Sequence, residues 1–192
     1  MSTKKVSAFR WRLALTVLLG VVFVGSVLLA VLSLGAANPP RGQSVYWQAN
    51  SLPADWRVTT SSIVATYYRS AVALPVTRFT IELTATNNGN PDSAWGLWLQ
   101  AGDSTWSIAV DAQGYLILRT GSAAPTHTQF RHLRPKVNTI SLDVQTDGSA
   151  VLRLNSEIAW TGELGRGQAD LWGVMEQYDP VLKWESLRIF AD

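Results

Sequence analysis

The sequence has no cysteine and only two histidines among its 192 residues. The absence of cysteine excludes disulfide bonds, lipid attachment through an N-terminal cysteine, and metal sites built on thiolates. Stability must then come from packing, and a cysteine-free domain outside the cytoplasm is more typical of bacteria than of animals. We therefore expect a bacterial setting if the domain is exported.

Charged side chains are also absent from residues 13–37, LALTVLLGVVFVGSVLLAVLSLGAA. As an α-helix this segment would extend about 37 Å, and the hydrocarbon core of a bilayer is about 30 Å thick. The preceding residues 1–12 contain no acid and four basic residues, which are Lys4, Lys5, Arg10 and Arg12. Because basic residues beside a span stay in the cytoplasm, we predict a cytoplasmic stub 1–12 and a single-pass transmembrane helix 13–37. The C-terminal domain is then extracytoplasmic, and the protein is located in the cell membrane.

A cleaved signal peptide is the alternative interpretation of the same segment. Small residues precede Asn38, as a signal peptidase requires, but the apolar run is longer than the about 7–15 residues usual in a signal peptide. The length favours an uncleaved signal-anchor, and both interpretations export the rest of the chain. Pro39 and Pro40 end the helix, so residues 38–43 are predicted to be a short linker.

Basic residues are too few and too scattered after residue 37 to indicate a nucleic-acid partner. The chain carries 16 basic and 14 acidic residues, and four of the basic ones lie before the apolar segment. The remaining region therefore has a net charge of −2, and its only loose basic group is Arg131, Arg134 and Lys136. No continuous basic stripe could follow a phosphate backbone.

Residues 44–192 lack helical periodicity and instead contain short runs in which apolar and polar residues alternate. In 77–83 the apolar members are Phe79, Ile81 and Leu83, and 139–145 has the same pattern. Asp147-Gly148 predicts a hairpin turn before a return strand at 150–155. Further strands are predicted at 44–48, 63–69, 95–100, 106–110, 115–120, 171–176 and 184–190. About ten short strands separated by turns predict an all-β domain, an antiparallel β-sandwich over 44–192.

Several motifs in this region form a recognisable series. They are FTIEL at 79–83, WGLWLQ at 95–100, WSIAVDAQGYL at 106–116, NTISLDV at 138–144, DGSAVLRLNS at 147–156, Trp172-Gly173 and a closing strand at 185–190. The series resembles the concanavalin A-like lectin/glucanase superfamily, in particular its laminin-G-like and 3-keto-disaccharide-hydrolase-like branches. The resemblance implies a jelly-roll β-sandwich, and because these motifs are structural it supports that fold more than any activity.

Catalytic and metal-binding motifs are missing. Retaining glucanases need two carboxyl groups about 5 Å apart, and the E-x-D-x-x-E arrangement that supplies them in this superfamily is absent. His127 and His132 lie in a polar stretch predicted to be a loop or an edge strand, and their spacing does not indicate a metal site. Residues 87–92, NNGNPD, contain oxygen ligands suited to Ca²⁺, but they are more typical of a plain turn. We predict no cofactor and a non-catalytic protein.

Aromatic residues give the candidate binding site. Alternation places Trp95, Leu97 and Leu99 on one face of their strand, which is predicted to be core, and Trp98 on the other. Because aromatic faces stack on sugar rings, outward aromatic and polar residues predict a shallow groove. The predicted ligand-binding residues are Trp98, Gln100, Arg119, Trp172 and Glu176.

These observations predict a membrane-anchored, glycan-binding module at the cell surface. The alternative is an accessory or structural subunit of a larger membrane protein complex, whose anchor docks into that complex. A third interpretation, implied by the resemblance alone, is a hydrolase acting on a modified disaccharide. The expected partners are therefore the membrane, a glycan and a membrane-protein complex, but not a nucleic acid.

Overall fold

The computed structural model describes residues 3–33, 41–61, 64–75, 77–164, 171–178 and 180–192. The chain separates into two compact units, Met1–Pro40 and Arg41–Asp192. In the first unit, helix α1 (Thr3–Ser33) runs without a break. It contains no proline, and the Ser26 hydroxyl, which could compete with the backbone, donates to the Val22 carbonyl oxygen at 2.8 Å.

The structure does not support the predicted transmembrane span. In the part of the chain that the structure describes, no helix combines the length and the hydropathy that crossing a membrane demands. Residues 34–37 of the predicted span, the cleavage site before Asn38, and residues 38–40 of the predicted linker lie outside the described residues.

The second unit is built from thirteen β-strands. They are β1 (Gln43–Ala49), β2 (Arg57–Ser61), β3 (Ala65–Arg69), β4 (Phe79–Asn87), β5 (Ala94–Ala101), β6 (Ser104–Asp111), β7 (Tyr115–Thr120), β8 (Thr126–Gln129), β9 (Val137–Val144), β10 (Ser149–Leu154), β11 (Glu157–Glu163), β12 (Leu171–Gln177) and β13 (Leu182–Ala191). A six-stranded sheet has the order β1-β13-β4-β9-β10-β11, and a seven-stranded sheet has the order β2-β3-β12-β5-β6-β7-β8. Every pairing is antiparallel, so the predicted all-β antiparallel sandwich is confirmed.

The core lies between the two sheets and follows the alternation in the sequence. From the six-stranded sheet, Ile81 and Leu142 are completely buried and directly opposite one another on β4 and β9. From the seven-stranded sheet, Leu97 and Ile108 are paired in the same way on β5 and β6. Burying side chains of this size stabilises the fold by about 1.5–3 kcal/mol each.

The turns predicted from sequence form as expected. Gly148 has a φ of 87°, which an L side chain rarely adopts, and the Asp147 carboxylate accepts a hydrogen bond from the Ser149 backbone N–H at 2.9 Å. At the β6–β7 turn, the Asp111 carboxylate accepts bonds from the backbone N–H groups of Gln113 and Tyr115. The hydrogen bonds of both turns fix the register of the strands that the turns join.

Two strands were not predicted, β2 and β11. Most of the described side chains of β11 are exposed or half-buried, and β2 is the first strand of its sheet. Both are edge strands. Their side chains need not alternate between core and solvent, so the alternation of apolar and polar residues is weak in their sequences. The polar stretch around His127 is β8, an exposed strand at the opposite edge of the seven-stranded sheet.

Candidate functional site

The outer face of the seven-stranded sheet, which points away from the core, has small residues along its centre. Gly96 on β5 and Ala109 on β6 are directly paired, and Ala94 is paired with Asp111 two positions along β5. Larger side chains on the flanking strands rise around them, including Met175 on β12 and Ile117 on β7. Because its central residues are small and its flanking residues are larger, this face of the sheet is concave.

A neighbouring row of the same face contains the polar and aromatic side chains of interest. Gly173, Trp98, Ser107 and Arg119 are cross-strand partners on the adjacent strands β12, β5, β6 and β7. Because adjacent strands are about 4.8 Å apart, the backbones at Trp98 and Arg119 are about 10 Å apart. The small Ser107 lies between them, and the space above it is open.

This space is a cavity of about 360 Å³, which we call the aromatic hollow. Its lining residues are Thr59, Tyr67, Trp98, Gln100, Thr105, Ser107, Arg119, Gly121 and Leu171. The volume falls at the lower end of the range of about 300–1,000 Å³ that is usual for small-molecule sites. The lining combines aromatic rings with hydroxyl, amide and guanidinium groups, which can contact both the faces and the edges of a ligand.

Trp98 forms the wall of the aromatic hollow and is firmly held. Its ring is only 7% exposed and meets the Tyr67 ring edge to face, with centroids 6.2 Å apart. Its indole N–H donates to the Tyr68 carbonyl oxygen at 3.1 Å. A Cβ at Gly173 would lie 2.8 Å from the indole nitrogen and 1.8 Å from that carbonyl oxygen, so glycine is required there. Trp98 thus faces outward as predicted, but it is buried rather than exposed.

A second cavity of about 570 Å³ continues along the same face, and we call it the acidic hollow. It shares Ser107 and Arg119 with the aromatic hollow, so the two form one continuous groove. Its carboxylates are Asp92 and Asp111, and the Gln113 side-chain amide donates a hydrogen bond to Asp92. Its remaining lining residues are Val64, Ala94, Ala109, Gln113, Tyr115, Ile117, Pro125, His127, Met175, Gln177 and Tyr178.

Three of the five predicted site residues lie together, since Trp98, Gln100 and Arg119 all line the aromatic hollow. Gln100 donates through its side-chain amide to the Gly102 carbonyl oxygen at 3.3 Å, which fixes it at the rim. Arg119 is exposed on β7, where its guanidinium group can reach into either hollow. Whether these residues bind a ligand stays a prediction.

The other two predicted residues lie on the opposite face of the sheet, which corrects the predicted groove. Trp172 is paired with the core residue Leu99, is 2% exposed, and packs edge to face against Trp56 at 5.5 Å. Glu176 is paired with the core residue Trp95 on the same inner face. In the sequence, Trp172, Val174 and Glu176 form a face of β12 that mixes apolar and polar residues. The cross-strand register shows that this face points to the core.

Glu176 has a structural partner at the end of the sandwich. Its carboxylate accepts a hydrogen bond from the Tyr68 hydroxyl at 3.1 Å. Burial raises the pKa of the Tyr68 phenol, and the negative charge of Glu176 and this hydrogen bond raise it further. The pair therefore joins β3 to β12 on the inner face, away from the groove.

The sequence analysis missed several residues of the aromatic hollow. Thr105 and Ser107 were recoverable, because they alternate along the strand with the apolar residues Trp106 and Ile108. Tyr67 was not, since both Tyr67 and its neighbour Tyr68 are aromatic and alternation cannot say which of the two faces outward. Thr59 lies on the unpredicted strand β2.

Other sequence candidates have structural roles where the structure describes them. The segment 87–92 is a turn in which the Asn87 side-chain oxygen accepts from the Gly89 N–H at 2.9 Å, and Asn90 accepts from the Asp92 N–H at 3.0 Å. His132 is exposed and lies against the Phe130 ring at 5.4 Å, whereas His127 lines the acidic hollow. Within the described ranges, no three histidine or acidic side chains are grouped in a way that could hold a metal ion.

Comparison with known proteins shows the fold. No protein-family model and no curated protein matches the chain. Among solved structures, it is similar to a Bacillus subtilis protein of unknown function with a galectin-like fold, with a TM-score of 0.59, 8% identity, and coverage of 79% of this chain and 97% of the other. It is also similar to Crh5 transglycosylase in complex with NAG, with a TM-score of 0.53, 11% identity, and coverage of 80% and 87%.

A third similar structure is the Trypanosoma rangeli sialidase. The TM-score is 0.52 and the identity 12%, with 79% of this chain matched to 31% of the sialidase chain. The likeness therefore concerns one part of a larger enzyme. At these identities the three structures establish a galectin-like β-sandwich fold and nothing about activity.

Proposed function

We propose that this protein is a non-catalytic glycan-binding module and that its ligand lies in the groove on the outer face of the seven-stranded sheet. The observation that carries this proposal is the aromatic hollow, in which the Tyr67 and Trp98 rings lie beside the polar side chains of Ser107, Gln100 and Arg119. Sugars present apolar ring faces and a rim of hydroxyl groups. An aromatic wall opposite hydroxyl, amide and guanidinium groups complements both.

The similar structures support a carbohydrate ligand. Crh5 transglycosylase was solved with NAG bound, and the Trypanosoma rangeli protein is a sialidase, so two of the three similar structures are proteins of sugar chemistry. The finer assignment of this chain, to a jelly-roll of the laminin-G-like or 3-keto-disaccharide-hydrolase-like branch, rests on its sequence motifs. The hydrolase interpretation gains no support from the groove, because the Asp111 carboxylate is engaged by the β6–β7 turn.

We also propose that the N-terminal unit attaches the module to the cell membrane with the stub 1–12 in the cytoplasm. The support is the uncharged sequence 13–37 and the basic residues before it. A reporter that is active only outside the cytoplasm, fused after Asp192, should then give a signal. Membership of a membrane complex is the alternative function, and co-purification in mild detergent would reveal stable partners.

A steric block tests the groove directly. In Ser107→Phe, the new ring would fill the point at which the two hollows meet, so glycan binding should fall by at least tenfold while the melting temperature changes little. Ser104→Phe on the same strand lies outside the groove and is the matched control. Binding is measured with the full chain in mild detergent, first on a glycan array and then by calorimetry. Unchanged binding by Ser107→Phe would contradict the proposed site.

A further inference from the structure

The charged side chains of the groove are segregated along its length. Of the described residues that line the aromatic hollow, Arg119 alone is charged. Both carboxylates of the groove, Asp92 and Asp111, line the acidic hollow instead. Arg119 also lines the acidic hollow, because it lies beside Ser107 where the two hollows meet. Among the described residues, the carboxylates of the groove therefore lie on one side of Arg119, and the aromatic hollow on its other side contains none.

Arg119 is placed to act on a ligand rather than on the fold. It is exposed on β7, and its cross-strand partner on β6 is the uncharged Ser107. Within the described ranges, no carboxylate forms an ion pair with it, whereas Arg41, Arg78 and Arg153 each have an acidic partner. A guanidinium group presents donors in a planar fork that matches a carboxylate or a sulfate in a bidentate geometry.

We propose that the groove selects an anionic oligosaccharide, whose carboxylate or sulfate group binds Arg119 within the aromatic hollow. This inference rests on the glycan-binding function proposed above and specifies the class of glycan. The Tyr67 and Trp98 rings contact the apolar face of the sugar unit that carries the negative charge. Neutral units extend over Ser107 into the acidic hollow, where the negative charges of Asp92 and Asp111 repel a second anionic unit.

The arrangement gives the groove a direction. A charge placed at the acidic end would meet two carboxylates, and the same charge at the other end meets a guanidinium group. Because Arg119 lies on β7 and Asp111 at the end of the adjacent strand β6, the separation of these two groups is fixed by the sheet. An oligosaccharide with one terminal anionic unit would therefore bind in one orientation.

The test uses the full chain in mild detergent and three trisaccharides measured by calorimetry. These are a trisaccharide with one terminal uronic acid, the same compound with its carboxyl group reduced to the alcohol, and the neutral compound carrying one terminal sulfate. We expect the uronic acid or the sulfated compound to bind at least about tenfold more tightly than the neutral one, the size of a single charge-assisted contact. Which of the two anions binds more tightly distinguishes a carboxylate ligand from a sulfate ligand.

Variants of Arg119 assign this preference to the proposed residue. Arg119→Gln should remove the discrimination between charged and neutral compounds, and Arg119→Lys should keep part of it because the charge remains. Arg134→Gln, an exposed arginine outside the groove, is the matched control and should change nothing. The preference should also weaken as salt is added.

The outcomes separate this inference from the function on which it rests. Equal binding of the charged and neutral compounds by the parent protein would overturn the anionic ligand and leave the glycan-binding module in place. An equal loss of all three compounds in Arg119→Gln would also overturn it, because Arg119 would then be a general contact. If none of the three compounds binds and the glycan array is also empty, both the function and its refinement are wrong.

Discussion

The outer faces of the two sheets belong to one sandwich but differ in how they satisfy their charges. On the six-stranded sheet, a guanidinium nitrogen of Arg153 is 2.5 Å from the Asp143 carboxylate, which also accepts a hydrogen bond from the Thr80 hydroxyl. On the seven-stranded sheet, Arg119 is exposed beside the open space above Ser107. One face uses its charges to hold strands together, and the other presents a charge to the solvent.

Burial shows the same contrast. Asp143 and Arg153 are 5% and 8% exposed although they lie on the outer face of their sheet, and Glu82 beside them is paired with Arg41 at 2.7 Å. The carboxylates of this face are therefore engaged by cationic groups of the same face. The groove, by contrast, has small side chains along its centre, and its Arg119 has no ion-pair partner among the described residues. A binding function is therefore expected on the outer face of the seven-stranded sheet.

Replacing Arg153 should cause the largest loss of stability among the substitutions that compare the two faces. Arg153→Ala leaves the Asp143 carboxylate buried without its counter-charge, and we expect a loss of about 3–5 kcal/mol in the free energy of unfolding. Chemical denaturation of the full chain, followed by tryptophan fluorescence, measures it. Glycan binding should persist under conditions where the variant is folded.

A double variant checks the mechanism. Replacing both Asp143 and Arg153 with leucine removes both buried charges, so much of the lost stability should return. If the double variant is as unstable as Arg153→Ala, the effect comes from packing around the arginine stem and not from an orphaned carboxylate.

A smaller loss of stability is expected at Trp98, which lines the aromatic hollow and is held there by packing. Trp98→Phe keeps an aromatic ring but deprives the Tyr68 carbonyl oxygen of its indole donor, which should cost about 1–3 kcal/mol in the free energy of unfolding. Trp47→Phe is the control, because Trp47 on β1 is 62% exposed. Equal effects of the two substitutions, measured by denaturant titration, would mean that Trp98 is not held as the structure shows.

The sandwich could be predicted because alternation is a local property of the sequence. The series Phe79, Ile81, Leu83 marks one buried face of β4, and Asp147-Gly148 marks the hairpin that follows β9, so the structure adds little at either place. The edge strand β11 was not predicted, because only one of its sides is paired and its side chains are exposed or half-buried.

The site was only partly predictable, because it depends on register between distant strands. Alternation correctly places Trp98 and Gln100 on the outer face of β5. It cannot decide the facing of β12, where Trp172 and Glu176 follow a pattern that fits either face until pairing with Leu99 and Trp95 assigns them to the core. The burial of Trp98 likewise depends on Tyr67, which is 31 positions earlier in the chain and contacts the Trp98 ring across β12 only in the folded sheet.

The smallest change in stability is expected at the residue that matters most for binding. Arg119→Ala removes an exposed side chain with no ion pair among the described residues, so the free energy of unfolding should stay within about 0.5 kcal/mol of the parent value. Arg153→Ala is its matched comparison, since each variant removes one arginine from the outer face of one sheet. Denaturation of both proteins in parallel gives the difference directly. If Arg119→Ala were as destabilising as Arg153→Ala, Arg119 would belong to the fold, and the contrast between a closed face and a binding face would fail.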